Sequence, residues 1–329
     1  MTPKIYSPVF RDSGAVIVHN LLSEHIQGYE IETFSPNWQY APFLLPVISK
    51  KFHRITVHTT PDYVPFFHTG DCRLVVTFHN YVLDDEMKKY STLLQRLHYR
   101  TDLLWNIKSA LKKADLVTTV SQATADLVKT GLSYDGEIQV IQNGVDTVKF
   151  TPGNKEKGRK QIKVLFSGNL TRRKGGHLLK DIAEGLNDNV CIYYTSGLNV
   201  RSRLEHHPNL KPLGKITYND MPGVYQDMDI LVLPSIREGL SMAILESMAS
   251  GLPVVTSNCS SMPEQIVHGI GGYLCEPGNV NDFVEKINHL ASSRELRKQM
   301  GEFNRERSCE VYSLELMIDR YRNLFNAGM

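Results

Sequence analysis

The stretch from residue 230 to residue 256 constrains the fold of this chain more than any other part of its sequence. Ile230–Leu233 is a short apolar run that a proline ends, which is typical of a strand buried on both faces of a sheet. Residues 241–250 have helical composition, and the Gly-Leu-Pro that follows is a helix stop signal. Because an apolar run begins again at Val254, the stretch predicts a strand, a polar turn, a helix and a second strand.

The polar turn and the helix of this stretch carry acidic residues where a ligand is expected. Arg237, Glu238 and Gly239 lie in the turn, beyond the carboxyl end of the first strand, and open parallel sheets bind ligands there. The helix start offers backbone N–H groups and a partial positive charge, which suits a phosphate. Glu246 lies about one and a half turns into the helix. Two acids on either side of a phosphate can hold hydroxyl groups, so the pattern predicts a nucleotide-sugar site.

The same stretch closely resembles the signature of glycosyltransferase family 4, which comprises retaining enzymes of the GT-B fold. The family pattern is E-x7-E inside PS-x-x-EG…E-x-M-A-x-G-x-PVV, and Glu238 and Glu246 fill its acidic positions. E-x7-E alone occurs by chance in many helices, but further signature positions are in register here. They are Pro234, Ser235, Gly239, Met248, Ala249, Gly251 and Pro253. The alternative is an ordinary βαβ unit with two solvated glutamates.

The resemblance implies an α/β protein of the GT-B fold, with two Rossmann-like domains whose parallel sheets face each other across a central cleft. A chain of 329 residues is long enough for two domains of about 150 residues each. Residues 151–161 are polar, contain Pro and Gly and lack apolar periodicity, which is typical of a linker. We therefore predict an acceptor-binding domain at 1–150, a nucleotide-sugar-binding domain at 151–310, and a helix at 311–329 that returns to the first domain.

Bulk composition excludes several classes of protein. A hydrophobic content of 41% and a net charge of +2 describe a soluble globular protein with no demand for nucleic acid. The five cysteines show no CxxC pairing, which argues against disulfides and structural zinc. We find no targeting signal and no apolar run of about 18 residues that could span a bilayer. These features predict a cytoplasmic protein that contacts a membrane at most from its surface.

A second motif follows the predicted strand Ile162–Phe166. It places Gly168 and then a run of cations between the strand end and the next helix, which suits a leaving diphosphate. It resembles the family's GRL-x-x-x-KG loop, in which an arginine and a lysine hold the diphosphate. Lys174 matches the lysine, but Asn169 occupies the arginine position, so we expect either Arg172 or Arg173 to supply that charge. The alternative is a basic surface turn.

A histidine, His79, directly follows the predicted strand Leu74–Phe78. In the family, a histidine in the matching T-x-H-D/N motif contacts the donor sugar near the reaction centre, and we assign this role to His79 over a purely structural one. The glycine-rich loop of the family is matched only by Gly14, for which a simple tight turn is the alternative. Five further histidines match nothing and are interpreted as surface or packing residues: His19, His53, His58, His68 and His98.

Residues 86–113 are predicted to be helical, with seven cations and one acid between Lys88 and Lys113. Leucines and Trp105 are interleaved with these charges. One interpretation is contact with an anionic membrane or a phosphorylated lipid acceptor. The simpler interpretation is an amphipathic helix with a solvated charged face, and the sequence favours it.

The resemblance implies transfer of a hexosyl group from a nucleoside diphosphate sugar to a hydroxyl of a glycan, glycolipid or small molecule, with retained anomeric configuration, in bacterial polysaccharide or glycoconjugate biosynthesis. We expect a UDP-sugar as donor, with a GDP-sugar as the alternative, and no separate cofactor. No metal is expected, because no His, Cys and carboxylate cluster has ligand spacing. The DMD motif at 227–229 leads into a buried strand and is rejected as a metal site.

The resemblance also assigns roles to residues. The expected catalytic residues are His79, Glu238, Lys174 and Arg172. The expected donor-binding residues are Gly14, Gly168, Asn169, Arg173, Gly214, Gly239, Leu240, Ser241, Met242 and Glu246. The alternatives are a GT-B sugar epimerase, which would need further acid–base carboxylates, and a non-catalytic nucleotide-sugar-binding protein.

Overall fold

The computed structural model describes residues 4–11, 14–35, 38, 44–45, 56–67, 72–84, 87, 89–154, 160–196, 204 and 207–327. The chain forms two compact units, one made of Met1–Asn143 with Glu315–Met329 and the other of Gly144–Leu314. The first crossing between the units lies a few residues before the predicted boundary at 150. The middle of the predicted linker, like His53 and His68, lies outside the described residues.

Each unit contains one six-stranded parallel sheet. The strand orders are β2-β1-β3-β4-β5-β6 and β12-β11-β10-β7-β8-β9. The GT-B prediction of two α/β domains with parallel sheets is therefore confirmed. The strands are β1 Ile5–Phe10, β2 Tyr29–Phe34, β3 Thr56–Thr59, β4 Arg73–Phe78, β5 Leu116–Thr119, β6 Gln139–Val140, β7 Ile162–Phe166, β8 Val190–Thr195, β9 Leu210–Gly214, β10 Ile230–Leu233, β11 Val254–Ser257 and β12 Gly272–Cys275.

Helices connect the strands, as parallel pairing requires. The described α-helices are α1 Ala15–His25, α2 Val64–Phe67, α3 Leu93–His98, α4 Leu104–Lys113, α5 Gln122–Leu132, α6 Leu179–Gly185, α7 Met221–Asp227, α8 Met242–Ala249, α9 Met262–Gln265, α10 Val280–Ser292, α11 Arg294–Val311 and α12 Leu314–Asn326. A π-helical segment, Tyr99–Leu103, joins α3 to α4 within the stretch that the sequence predicts to form one helix or two. Within the described part of the chain, no helix has both the length and the apolar character needed to cross a membrane.

The predicted strand–turn–helix–strand unit is present in the second unit as β10, α8 and β11. Both strands are fully buried. Each has a neighbour on both sides, because β11 lies between β12 and β10, and β10 lies between β11 and β7. The buried side of α8 includes Ile244, Leu245 and Met248. Because β10 and β7 are neighbours, the loops that follow them start at the same edge of the sheet.

The last helix, α12, is part of the first unit, and Arg73 at the start of β4 holds its end. The Arg73 guanidinium donates hydrogen bonds to the carbonyl oxygens of Phe325 at 2.9 Å, Leu324 at 3.1 Å and Ala327. The last carbonyls of a helix have no partner within the helix, and a cation there also interacts favourably with the helix dipole. Arg73 therefore attaches the end of α12 to the first sheet.

We predict that Arg73→Ala weakens this attachment by about 1.5–3 kcal/mol, the usual contribution of hydrogen bonds to a charged group. Amide hydrogen exchange of residues 321–326 should accelerate, whereas exchange of α8 in the other unit should not change. Lys112→Ala, which removes an exposed cation of α4, is the control. Equal protection of α12 in wild type and Arg73→Ala would contradict the prediction.

Candidate active site

The loop after β7 and the turn after β10 are in direct contact. The amide of Ile236 donates to the carbonyl of Arg173 at 2.9 Å. Gly175 has a φ of +74°, and a Cβ built there would lie 2.2 Å from the carbonyl oxygen of Pro234. Since no residue with a side chain fits this approach, glycine allows the two loops to touch.

A buried ion pair joins these loops. Lys174 Nζ lies 3.1 Å from Glu238 Oε1, and Arg173 Nη1 lies 3.7 Å from the same oxygen. The Ser235 hydroxyl donates to it at 2.8 Å. Burial alone would raise the pKa of Glu238, but Lys174, Arg173 and the Ser235 hydrogen bond together lower it. Glu238 is therefore a buried carboxylate that remains ionised, and the structure brings two separately predicted motifs together.

The backbone of Glu238 is held by residues that the sequence analysis missed. The Ser260 hydroxyl accepts from the Glu238 amide at 3.2 Å and also lies 2.7 Å from its carbonyl oxygen. The Ser261 hydroxyl donates to the same carbonyl at 3.1 Å. Both serines follow β11, the strand next to β10, so their position after a neighbouring strand is the signal that would have indicated them.

Glu246 on α8 is also buried, but its electrostatic environment differs. It accepts a hydrogen bond at 2.8 Å from the hydroxyl of Tyr225, a third residue that the sequence analysis missed. Burial raises the pKa of Glu246 to about 7, against the opposing effects of Tyr225, Lys149 and Lys174. Lys174 thus acts electrostatically on both predicted acids, and Glu246 exchanges its proton near neutral pH.

Two glycines predicted to bind the donor differ in their surroundings. The Lys174 side chain lies across Gly168, where a Cβ would be 3.1 Å from Lys174 Cδ, and the Gly168 amide donates to Thr195 Oγ1 at 3.0 Å. Gly14, in the first unit, has φ −61° and ψ −24°, an ordinary helical conformation immediately before α1. Gly168 therefore serves close packing of the lysine, whereas any residue can adopt the backbone of Gly14.

The amide of Ser241 is already paired. It donates to Gln265 Oε1 at 3.0 Å, and Gln265 Nε2 donates back to the Ser241 carbonyl at 3.0 Å. The Ser241 amide would have to leave Gln265 to bind a phosphate, and the assignment of Ser241 to donor binding stays a prediction. Met242 is the first residue of α8, and Gly239 and Leu240 are buried in the preceding turn.

The remaining predicted residues of the second unit lie nearby or at the surface. Arg172 is exposed, in contrast to the half-buried Arg173, and Asn169 is half-buried. Gly214 ends β9, the edge strand of the sheet, and is exposed. In the DMD motif, Asp227 pairs with the Lys163 ammonium at 2.6 Å and Asp229 accepts from the Lys163 amide at 2.9 Å.

In the first unit, His79 follows β4 and is half-buried. Its Nε2 lies 3.1 Å from Nε2 of His19, which is fully buried on α1. Burial lowers the pKa of His79 to about 4, so its imidazole is neutral at physiological pH. Among the described residues, no group of three or more His, Cys, Asp or Glu side chains is arranged to hold a metal ion.

Comparisons with known proteins agree with this architecture. Residues 15–149 match the family model "Glycosyltransferase Family 4", and residues 149–307 match "Glycosyl transferases group 1". The chain is 28% identical over 227 residues to an uncharacterized glycosyltransferase of Haemophilus influenzae, a match that covers 65% of this chain and 62% of that protein. Matches to the first curated relatives span between 46% and 62% of their lengths.

Two solved structures are similar over nearly the whole chain. Sucrose-phosphate synthase from Thermosynechococcus elongatus has a TM-score of 0.81 at 17% identity, with 99% of this chain and 100% of that chain covered. Anabaena Alr3699/HepE, solved in complex with UDP and glucose, has a TM-score of 0.76 at 17% identity, with the same coverage. The chain therefore has the two-domain GT-B fold of glycosyltransferases.

The raised pKa of Glu246 gives a prediction about stability. Because its folded pKa is about 7 and its ordinary value is 4.5, the folded state loses stability as pH rises through this window. The loss is at most about 3 kcal/mol at 1.36 kcal/mol per pKa unit. Glu246→Gln cannot ionise and keeps an acceptor for Tyr225, so its melting temperature relative to wild type should be several degrees higher at pH 8 than at pH 5.

Glu238→Gln is the matched control for this measurement. The pKa of Glu238 is lowered, so this carboxylate is ionised in both the folded and the unfolded state across most of the same window. Its difference in melting temperature from wild type should therefore stay nearly constant between pH 5 and pH 8. If Glu246→Gln also gives a constant difference, the Glu246 carboxylate is not the titrating group.

Proposed function

We propose that this protein is a retaining, family 4 glycosyltransferase that moves a hexosyl group from a nucleoside diphosphate sugar to an acceptor hydroxyl. The observation that carries the proposal is the position of Lys174. Its ammonium lies 3.1 Å from Glu238 and acts electrostatically on Glu246. A half-buried cation near two buried acids matches the charge pattern of a donor in which a diphosphate lies between two sets of hydroxyl groups.

Lys174 and Arg173 would stabilise the leaving diphosphate as negative charge accumulates on it, because preorganised positive charge is most effective where charge develops. We assign the second cation to Arg173 because it already lies beside Glu238, whereas Arg172 is exposed. The two cations would serve in place of a metal. Amides of Gly239 and Met242 would add hydrogen bonds to the same phosphate.

Glu238, as an ionised acceptor, would hold hydroxyl groups of the sugar ring. Glu246 would accept hydrogen bonds from the ribose hydroxyls. Because its pKa is raised, binding of the ribose would depend on pH. Retaining glycosidases use a carboxylate nucleophile on the opposite face of the sugar. We propose front-face attack instead, in which the departing phosphate takes the proton of the acceptor hydroxyl, so that no nucleophilic side chain is needed.

The donor is proposed to be a UDP-sugar, which the UDP and glucose complex of Anabaena HepE supports, and a GDP-sugar is the alternative. The acceptor class, a glycan, glycolipid or small molecule of bacterial polysaccharide or glycoconjugate biosynthesis, rests on the family resemblance alone. A non-catalytic nucleotide-sugar-binding protein would release no nucleoside diphosphate, and a sugar epimerase would need further acid–base carboxylates.

Lys174→Gln and Glu238→Gln should each lower the rate of nucleoside diphosphate release from the donor by about 10²–10³-fold, the usual loss when one charge-stabilising group is removed. Glu238→Gln keeps the side-chain length and Lys174→Gln shortens it by one atom, and the melting temperature reports whether the fold is retained. Lys298→Ala, which removes an exposed lysine of α11, should leave the rate unchanged. Near-normal release by a folded Lys174→Gln protein would disprove its assigned role.

A membrane surface is a further proposed partner, and exposed apolar side chains favour it. Leu93, Leu97 and Trp105 are 81%, 63% and 65% exposed. All three side chains lie on the helical stretch formed by α3, the π-helical segment and α4. Exposed Lys108 and Lys112 add positive charge, and this combination suits an anionic lipid surface.

The triple variant Leu93→Ser, Leu97→Ser, Trp105→Ser should lose most binding to phosphatidylglycerol vesicles in a sedimentation assay. Val148→Ser, which removes an 82% exposed side chain of the second unit, is the control and should bind like wild type. Wild-type binding should fall as salt rises and should be weak on neutral phosphatidylcholine vesicles. Binding that the triple variant retains would place the contact elsewhere, and absence of wild-type binding would exclude a membrane partner of this composition.

A further inference from the structure

A chain of buried hydrogen bonds extends behind His79 through the sheet of the first unit. His79 Nε2 contacts His19 Nε2 at 3.1 Å, and His19 Nδ1 contacts the Tyr29 hydroxyl at 2.8 Å. The Tyr29 hydroxyl also contacts His58 Nδ1 at 2.7 Å, and His58 Nε2 contacts Thr77 Oγ1 at 2.7 Å. We call this chain the histidine relay. It also includes Ser7, whose hydroxyl lies 2.6 Å from His19 Nδ1, and Thr118, whose hydroxyl lies 2.6 Å from that of Thr77.

The relay is enclosed within the first unit. Ser7, His19, His58, Thr77 and Thr118 are fully buried, and Tyr29 is nearly so. The relay crosses five strands, β1 to β5, and α12 covers it on one side through ring contacts of Tyr321 and Phe325 with His58. Buried polar groups are costly unless they are paired, so a set this large must be mutually satisfied.

The three imidazoles are neutral. Burial lowers the pKa of His58 to about 3 and that of His79 to about 4, and it lowers the pKa of His19 well below its usual range. A neutral imidazole has one N–H donor and one acceptor nitrogen. Each ring that has a partner at both nitrogens must therefore donate to one partner and accept from the other. The tautomer of one ring then determines the tautomer of the next.

His19 Nδ1 decides the direction of this chain, because two hydroxyl oxygens lie within 2.8 Å of it. A bare ring nitrogen has a single lone pair and can accept only one hydroxyl well, whereas an N–H can be shared between two acceptor oxygens. This arrangement favours the tautomer of His19 with the proton on Nδ1. Its Nε2 is then an acceptor, so the nitrogen that contacts it, His79 Nε2, must be the donor.

We propose that His19 is a positioning residue that holds His79 as its Nε2–H tautomer. The remaining ring nitrogen, His79 Nδ1, then carries a lone pair and has no hydrogen-bond partner among the described residues. It is an acceptor for a hydroxyl of the donor sugar, and the identity of that ligand rests on the proposed function. Tyr29, having accepted from His19, donates to His58 Nδ1, and His58 Nε2–H donates to Thr77.

The proposal predicts the tautomer of His79 directly. In the full-length wild-type protein at pH 7, long-range ¹H–¹⁵N NMR spectra should show His79 protonated on Nε2 and unprotonated on Nδ1. The His79 signal is assigned from its loss in His79→Gln, and His289→Gln, an exposed histidine of the other unit, serves as a control that leaves the spectrum of His79 unchanged. Protonation on Nδ1 in the wild type would overturn the proposal.

Substitutions of His19 separate positioning from packing. His19→Gln places an amide oxygen near the site of Nε2 and should preserve the tautomer, whereas His19→Leu fills the space without an acceptor. In His19→Leu the tautomers should mix, and kcat/KM for donor turnover should fall by about 3–10-fold, the usual effect of one neutral hydrogen bond. Equal behaviour of the two variants would show that His19 acts only by packing.

Ser7→Ala is a smaller change that tests the same point if His19→Leu does not fold. It removes one of the two oxygens that favour the Nδ1–H form of His19, so the Nε2–H preference of His79 should weaken measurably, and an unchanged preference would contradict the role of the shared proton. The NMR measurement does not depend on turnover. If the wild type releases no nucleoside diphosphate, the proposed function fails, while the tautomer of His79 still decides whether the relay exists.

Discussion

The ion pair between Lys174 and Glu238 is the interaction on which the second unit's site depends. An ionised carboxylate is very costly to bury alone, and such a group normally neutralises itself by taking up a proton. Here two cations and a serine hydroxyl keep Glu238 charged. The pair also joins the loop after β7 to the turn after β10, so one contact both positions the two motifs and sets the charge that a ligand would meet.

Burial has three different outcomes among these side chains, and neighbouring groups explain which one occurs. Glu238, beside Lys174 and Arg173, stays ionised. Glu246, whose direct partner is the neutral Tyr225 hydroxyl, has its pKa raised toward neutrality. His79, backed by other neutral imidazoles, has its pKa lowered by burial. The second unit's site therefore holds an ionised carboxylate, Glu238, whereas His79 in the first unit is neutral and acts through hydrogen bonds of defined direction.

Continuous apolar runs made the strands predictable. β7 and β10 have the predicted bounds, because a strand buried at nearly every position is encoded by a short, mostly apolar segment of sequence. Lys174 and Glu238 were predictable because each occupies its expected position in a short motif of consecutive residues. Their contact with each other is a finding of the structure, and parallel-sheet geometry explains it because the ends of neighbouring strands meet at one edge.

Partners from distant segments were not predictable in this way. Tyr225 and Gln265 reach the site from helices α7 and α9, and periodicity carries no information about such pairs. Ser260 left only the weaker signal of its position after β11. His19 was interpreted as a surface or packing residue although it contacts His79. Its partners did leave a weak signal, since Ser7 and Thr77 are polar residues inside otherwise apolar strands.

The chain passes between the two units twice, and the two crossing segments pair with each other. The Val145 amide donates to the Tyr312 carbonyl at 2.8 Å, and the Leu314 amide donates to the Val145 carbonyl at 2.9 Å. The first unit is therefore discontinuous in sequence, because α12 completes it from the far end of the chain. A chimera that exchanges this half for that of a relative must transplant two segments, since a single splice near residue 143 would pair one protein's sheet with another protein's covering helix.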